Sequence, residues 1–267
     1  MSVSRKQPTT TGIDRIAFAF AGHGKRAALM PYLMGGFPDL DGSLAAGEAA
    51  ASAGADLIEL GIPFSDPLAD GPLIHDAATR ALAAGATPYG VLGVCERLSA
   101  RVPVVLTVYA NVVLTAGAEA FALRAASAGA AGLIVPDLPH DEAAELRDAC
   151  DAERIALVPL VAPTSTPERV RTIGADARGF VYAVSLTGTT GERTSLAEDL
   201  GATVAQVRDA ADVPVAVGFG ISTGEQASEV AALADGVIVG SRIVRAAAEG
   251  GAAAVGAVVE ELAAALY

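Results

Sequence analysis

A single carboxylate interrupts an apolar run that is typical of a buried strand. Glu59 lies in the segment 57–62, between leucines and isoleucines. Because side chains alternate along a strand, Leu57, Glu59 and Gly61 share one face. Burying a carboxylate is costly unless it is paired or protonated, and burial raises its pKa toward roughly 6–7, which suits a general acid or base. Glu59 is therefore a candidate acid–base residue; the alternative is a structural glutamate neutralised by a buried arginine.

Two more acids, Asp66 and Asp70, follow in a proline-containing loop. The sequence Asp70-Gly71-Pro72 is typical of a helix start, with Asp70 as N-cap and proline at an early helical position. Alternatively, Asp70 is a second functional carboxylate beside Glu59. The local pattern leaves both interpretations open.

Three glycine clusters predict a phosphate site. They follow the last three predicted strands and occupy residues 185–191, 218–222 and 240–242. Glycine lets backbone N–H groups approach an anion, and barrels commonly bind phosphate with the loops after strands seven and eight and a helix N-terminus. Gly220, Gly240 and Ser241 are placed for this role, although tight turns would explain each cluster singly. The long polar segment 187–196 predicts a lid over the substrate; a plain surface loop is the alternative.

Eight apolar, β-branched runs must position these residues. They are 27–34, 57–62, 102–109, 132–138, 155–161, 180–186, 213–219 and 236–239. Segments with helical spacing alternate with them, at 44–53, 88–98, 118–128, 141–151, 167–173, 196–211, 224–233 and 253–266. Strands that alternate with helices predict a parallel sheet. Eight of them, with glycine turns after helices at Gly54 and Gly129 and long loops after strands, favour a closed (β/α)₈ TIM barrel over a doubly wound open sheet.

The N-terminal region predicts one element beyond the barrel. Ile13, Ile16 and Phe20 recur at helical spacing, and we expect an extra helix that closes the barrel bottom. Residues 1–11 are predicted to be a disordered tail. We find no linker, so residues 1–267 are predicted to form a single domain.

Composition narrows the function classes. A barrel of about 250 residues would use nearly all of the 267 present. The formal net charge of −13 argues against binding nucleic acid or an anionic membrane. Cys95 and Cys150 have no zinc-type or redox spacing and are predicted to be reduced thiols. Without a recognisable signal peptide or membrane span, a cytoplasmic location is expected.

The scarcity of other reactive side chains narrows the chemistry. The only lysines, Lys6 and Lys25, precede or begin the first strand, so a Schiff-base aldolase is disfavoured. His23, His75 and His140 are widely scattered, and no metal site is expected. His140 is predicted to lie in a solvent-facing turn. Carbon-bond chemistry would then use carboxylates and hydroxyls, with the substrate itself accepting the electrons.

At residues 59–72 the sequence ELGIPFSDPLADGP resembles the signature of the tryptophan synthase alpha chain family. Other similar pieces follow the expected order along the chain from about Gly12: PYLMGGFPD, VYANVV, IVPDLP, TGTTG, GFGIS and VGSRIV. Some members carry leucine where this chain has Thr107. The resemblance implies a (β/α)₈ lyase that cleaves indole-3-glycerol phosphate to indole and glyceraldehyde 3-phosphate by a retro-aldol reaction.

The resemblance also implies residue roles. Glu59 would protonate the ring carbon that bears the side chain, Asp70 would bind the indole N–H, and Tyr182 would assist. Thr190 would belong to the lid and orient Asp70. The phosphate would lie on Gly191, Gly220, Gly240 and Ser241. The indole pocket would be walled by Tyr32, Thr107, Tyr109 and Ile221.

The family further implies a partner. Two alpha chains would join two beta chains in a heterotetramer, with pyridoxal phosphate in the beta chain only and no cofactor in this one. Indole would pass to the beta chain through a tunnel. The loop 63–67, Asn111 and Pro139 would face that partner. A different phosphosugar isomerase and a non-catalytic regulatory subunit are the competing hypotheses, and the presence of both Glu59 and Asp70 disfavours them.

Overall fold

A parallel sheet that curls into a barrel forms the centre of the molecule. The computed structural model describes residues 10–22, 24–184, 193–218 and 220–267, with the backbone alone for 193–199. Its strand segments are β1 Ala28–Met34, β2 Ile58–Gly61, β3 Val104–Thr107, β4 Ala130–Ile134, β5 Ala156–Leu157, β6 Leu160–Val161, β7 Val181–Val184, β8 Val215–Gly218 and β9 Gly236–Val239. Most of these residues are buried, as strands covered on both faces should be.

The strand order closes the barrel. Hydrogen bonds join the segments in the order β5-β4-β3-β2-β1-β9-β8-β7-β6, and each pair is parallel. Only Val158 and Pro159 separate β5 from β6; Val158 N donates to Leu133 O at 2.8 Å, and Tyr182 N donates to Pro159 O at 2.9 Å. The two segments are therefore one barrel strand that pairs with β4 first and β7 next. Counted so, the described strands number eight, and the predicted fold class is confirmed.

Helices surround the barrel, most of them on its outer face. They are α1 Gly12–Gly22, α2 Leu40–Ser52, α3 Pro72–Ala83, α4 Pro88–Ser99, α5 Ala110–Ala116, α6 Ala118–Ser127, α7 Ala144–Ala152, α8 Pro167–Asp176, α9 Arg193–Ala210, α10 Gly224–Ala231 and α11 Ser241–Ala264, with a 3₁₀ turn at His140–Glu142. Side-chain caps begin several of them. Asp39 accepts from Gly42 N at 2.7 Å, and Thr223 forms a capping box with Gln226.

Most helices lie close to their predicted positions, with local exceptions. The helix α5, a short helix that directly follows the third strand, was not predicted. The last helix begins at Ser241 rather than near residue 253, and Gly251, at φ 60°, kinks it. Gly54 and Gly129 have φ values of 106° and 75°, so the two predicted glycine turns are confirmed. Of the predicted tail, residues 1–9 lie outside the described residues.

The N-terminal helix α1 covers the end of the barrel where the strands begin. Ile16 is fully buried within the inner barrel cluster, and the Phe20 ring lies 5.5 Å from that of Phe180. Arg15 donates to the carbonyl oxygens of Gly129 at 2.9 Å and Val102 at 3.1 Å, at turns that precede strands. These contacts explain the helical spacing of the apolar residues in α1 and confirm the predicted extra helix.

Two other expectations concern the environment of the chain. Cys95 and Cys150 are buried and free, as predicted. Among the residues that the structure describes, no helix combines the length and apolar character needed to cross a bilayer.

Candidate active site

The buried acid at the centre of the barrel is Glu59. Its residue is 4% exposed, and its Oε1 accepts a hydrogen bond of 2.5 Å from Thr107 Oγ1 on the neighbouring strand β3. Burial raises the pKa of Glu59 to about 7, the Thr107 hydrogen bond opposes this rise, and the negative charge of Asp70 adds to it. No arginine or lysine among the described residues pairs with Glu59, which disfavours the alternative of a structural ion pair. Near neutral pH this carboxyl can both give and take a proton.

Two buried tyrosines face the same acid. Tyr32, on β1, is the direct cross-strand partner of Glu59, while Tyr182 lies on β7. Each ring packs against a bare glycine, Gly61 for Tyr32 and Gly218 for Tyr182, where any side chain would overlap the ring. Burial raises the pKa of both phenols well above the usual range, and nearby carboxylates, including that of Glu59, raise it further. Both hydroxyls therefore stay protonated and can donate hydrogen bonds.

The second carboxylate, Asp70, lies at the mouth of the barrel. Burial raises its pKa, while a hydrogen bond with the Tyr109 hydroxyl and the nearby His75 lower it. The N-cap of α3 is Gly71, and no side-chain hydrogen bond caps this helix. Of the two interpretations that the sequence left open for Asp70, the N-cap role is therefore wrong, because α3 begins one residue later than that role requires. Its carboxylate is close enough to Glu59 to affect that residue's pKa.

Tyr109 holds the loop that carries Asp70. Its hydroxyl oxygen accepts from Ala69 N at 3.1 Å, and its ring stacks on Phe64 with centroids 5.3 Å apart. Just beyond it, Ala110 N donates to Asp137 Oδ1 at 2.8 Å, which ties α5 to the loop after β4. The loops after three successive strands thus brace one another, and the position of Asp70 depends on all of them.

The residues predicted to bind phosphate lie at the ends of β8 and β9, as far as they are described. Gly240 is the N-cap residue of α11 and Ser241 begins that helix. A Cβ at Gly240 would lie 3.8 Å from the Tyr32 Cβ, which places this helix N-terminus beside the barrel mouth. Gly220 is exposed with φ 76°, a backbone conformation that favours glycine. The predicted lid residue Thr190 and phosphate residue Gly191 lie outside the described residues.

Ile221, the remaining residue predicted for the indole pocket, and His140 lie in different parts of the structure. Ile221 is 7% exposed and packs in the core after β8. The side chain of His140 is 13% exposed, and its Nε2 lies 3.2 Å from Asp176 Oδ2, so the prediction of a solvent-facing His140 is wrong. His140 lines a cavity of about 360 Å³ between α7 and α8, and Glu59 is not among the residues that line this cavity. Within the described ranges, no three His, Cys, Asp or Glu side chains could hold a metal ion together.

Sequence reasoning missed two contacts at the site. It placed Thr107 in the pocket wall but did not foresee its hydrogen bond to Glu59, and it gave His75 no role. Because side chains alternate between the two faces of a strand, the first contact could have been suggested: Thr107 faces the barrel interior on β3, the strand next to the one that carries Glu59. His75 lies five residues after Asp70, in the first turns of α3, where a histidine can approach a carboxylate at the helix start.

Fold and site together define a class. The chain is a (β/α)₈-barrel enzyme with a buried carboxylic acid inside the barrel and a second carboxylate in the loop after β2, on the side where barrel enzymes keep their active sites. The sequence model of the family described as "Tryptophan synthase alpha chain" matches residues 18–265. The chain belongs to the tryptophan synthase alpha chain family.

Individual relatives agree with this membership. The tryptophan synthase alpha chain of Gloeobacter violaceus is 51% identical over 236 residues, which cover 86% of each chain. That of Geobacter sulfurreducens is 47% identical over 237 residues, covering 87% of this chain and 90% of the relative. Among solved structures, a Mycobacterium tuberculosis tryptophan synthase chain is similar with a TM-score of 0.87 and 42% identity, covering 94% of this chain and 98% of the other. The alpha subunit from Campylobacter jejuni gives 0.84 and 34%, covering 91% and 98%.

Proposed function

We propose that this protein cleaves indole-3-glycerol phosphate to indole and glyceraldehyde 3-phosphate in tryptophan biosynthesis. Glu59 is the general acid. Its proton goes to the indole ring carbon that bears the glycerol side chain, and the ring nitrogen takes up the resulting positive charge. The bond from that carbon to the glycerol chain then breaks as the adjacent hydroxyl loses its proton to the Glu59 carboxylate, and the bonding electrons return to the ring.

The other side chains at the mouth stabilise this sequence of charges. Asp70 accepts a hydrogen bond from the indole N–H and stabilises the positive ring, since a fixed carboxylate near a developing cation lowers its energy. Tyr182 contributes a protonated hydroxyl beside Glu59. Because the protonated ring serves as the electron sink, these steps need neither a lysine nor a cofactor from this chain.

Two sets of residues at the barrel mouth bind the two ends of the substrate. Backbone groups at Gly191, Gly220, Gly240 and Ser241 bind the phosphate. Tyr32, Thr107, Tyr109 and Ile221 wall the indole pocket. The proximity of Gly240 to Tyr32 supports this division, because a Cβ added at Gly240 would lie only 3.8 Å from the Tyr32 Cβ, which puts the α11 N-terminus next to the pocket. Thr190, in the lid, orients Asp70 as the substrate becomes enclosed.

The family membership supports a partnership with a tryptophan synthase beta chain. We place this chain in an α₂β₂ heterotetramer, with pyridoxal phosphate in the beta chain and a cytoplasmic location. The loop 63–67, Asn111 and Pro139 form the face for that partner. Leu68 and Leu114 are 87% and 66% exposed beside this face, which is typical of an apolar surface that a partner covers.

The observation that best supports the proposed reaction is that Glu59 is buried, has no described positively charged partner, and has a pKa of about 7. Its test is an indole-release assay on indole-3-glycerol phosphate, with the purified chain alone and with a beta chain added. We expect indole and glyceraldehyde 3-phosphate in equal amounts under both conditions. Absence of both products in both arms, from a folded chain, would refute the lyase reaction.

The phosphate site makes a separate prediction at Gly240. The Cβ of a valine there would lie 3.6 Å from Ile74 and 3.8 Å from Tyr32, which are ordinary contact distances, so the fold should persist. The side chain would keep the phosphate from the backbone, and losing one hydrogen bond to a charged group raises KM about tenfold or more. We expect the affinity for free indole, measured by calorimetry, to stay within about twofold, since indole lacks the phosphate.

Gly256→Val is the matched control for Gly240→Val. Gly256 lies far along α11, and its added Cβ would also have its nearest contact at 3.6 Å, with Ala49. We expect the control to leave the KM for the phosphorylated substrate unchanged. Equal losses of affinity for indole and for the phosphorylated substrate in Gly240→Val would contradict the phosphate assignment.

A further inference from the structure

The carboxyl group of Glu59 is held from one side. Its cross-strand partners are Tyr32 on β1 and Val105 on β3, and Thr107 lies two residues beyond Val105 on the same face of β3. The Tyr32 hydroxyl lies 4.0 Å from Met34 Sδ, its described hydrogen-bond partner, whereas Thr107 Oγ1 lies 2.5 Å from Glu59 Oε1. Among the described residues, the side-chain hydrogen bond to this acid therefore comes from Thr107.

We infer that Thr107 is a positioning residue for the lyase reaction: its hydroxyl binds Oε1 of Glu59 and leaves Oε2 as the oxygen that exchanges the proton with the substrate. This inference rests on the proposed function and extends the role of Thr107 beyond that of a pocket wall. A buried carboxyl without a partner could rotate among several positions, and proton transfer needs the two reacting atoms within hydrogen-bond reach.

The backbone around Thr107 suits a positioning role. Thr107 pairs in register with Gly61 and with Ile134, and its carbonyl oxygen accepts from Ile62 N at 2.8 Å. Its β-branched side chain has few χ1 choices on a strand. Strands on both sides thus hold the backbone, and the residue type restricts the hydroxyl, so the direction of the hydrogen bond to Glu59 is set by rigid parts of the fold.

The same hydrogen bond sets the pH range of the acid. A hydroxyl that donates to a carboxylate stabilises the charged form, and this contact lowers the pKa of Glu59 against the effect of burial. Without the donor, the acid would hold its proton more tightly and return it to the substrate less readily. Thr107 therefore keeps the pKa of Glu59 near neutrality, where donation and recovery of the proton are balanced.

The test compares Thr107→Val, which keeps the shape and removes the hydroxyl, with Thr107→Ser, which keeps the hydroxyl. Two readouts apply to the full chain: the pH dependence of kcat for indole release, and a titration of the Glu59 carboxyl by ¹³C NMR, assigned with Glu59→Gln. In Thr107→Val we expect the Glu59 titration and the alkaline limb of kcat to move up by about one pH unit, the strength of one hydrogen bond to a charge. Plateau kcat should fall roughly tenfold, with KM within about twofold.

Thr107→Ser should restore both the titration and the kcat profile, and it is the decisive rescue. Thr172→Val is the matched control, because Thr172 lies exposed on α8 and donates only to the Glu168 carbonyl oxygen. An unchanged Glu59 titration in Thr107→Val would overturn the inference, and so would a Thr107→Ser protein that behaves like the valine variant. If the Glu59 titration shifts in Thr107→Val but the wild-type chain releases no indole, the proposed lyase reaction is refuted and the contact between Thr107 and Glu59 still stands.

Discussion

Replacing Glu59 with glutamine is expected to lower indole release by about 10²–10⁴-fold, the usual contribution of one well-placed acid–base group. Glutamine keeps the size of the side chain, and its amide oxygen can still accept from the Thr107 hydroxyl. It cannot supply an acid proton near neutral pH. Rates measured under saturating substrate would show the loss in kcat, while phosphate-dependent binding would persist. Turnover at the wild-type rate would remove Glu59 from the mechanism.

The stability of Glu59→Gln provides a second signature. Burial raises the pKa of Glu59 from an ordinary value of 4.5 to about 7, so the folded state favours the protonated form. As the pH rises through this window, the unfolded chain releases the proton first, and the wild type loses stability. Glutamine has no such loss. We therefore expect the variant to gain stability relative to the wild type between pH 5 and pH 8, measured by urea denaturation.

Glu96→Gln is the matched control for both measurements. Glu96 is exposed on α4, outside the barrel, and the change removes the same charge. We expect its indole release and its relative stability at pH 5 and pH 8 to match the wild type. A similar pH-dependent gain in this control would mean that net charge, rather than the buried carboxyl, causes the effect.

Replacing Asp70 with asparagine is expected to lower kcat by roughly 10²–10³-fold, the scale of one lost electrostatic stabiliser. Asparagine can still bond to the Tyr109 hydroxyl, so the loop should keep its position. The lost charge would leave the positive indole ring unstabilised. Because Gly71 occupies the N-cap position and no side chain caps α3, the free energy of unfolding should change by less than about 0.5 kcal/mol.

A different outcome would favour a structural role for Asp70. A variant that loses stability by about 1 kcal/mol, the usual cost of a lost N-cap, and retains its activity would restore the capping interpretation. Asp76→Asn is the matched control, because Asp76 lies exposed on the same helix in a surface ion pair with Arg80 at 3.7 Å. Such a pair stabilises little, so neither activity nor stability should move.

The strands and their inner faces could be predicted from sequence because they depend on local pattern. Continuous apolar runs mark strands that are covered on both sides, and strict alternation places Glu59 and Thr107 on inner faces. The run 155–161 was likewise predicted as one strand, and β5 and β6 together form it, each pairing with a different neighbour. Local pattern did not reveal α5, because this helix follows the third strand directly.

The sequence by itself determined the element order, the barrel, the buried position of the acid and, through motif resemblance, the family. Only the tertiary structure decided which side chains meet. Thr107 lies 48 residues from Glu59 and Tyr109 lies 40 from Ala69, so these contacts depend on strand register and on closure of the barrel. The pKa of Glu59 likewise follows from desolvation by surrounding strands, and no local segment carries that information.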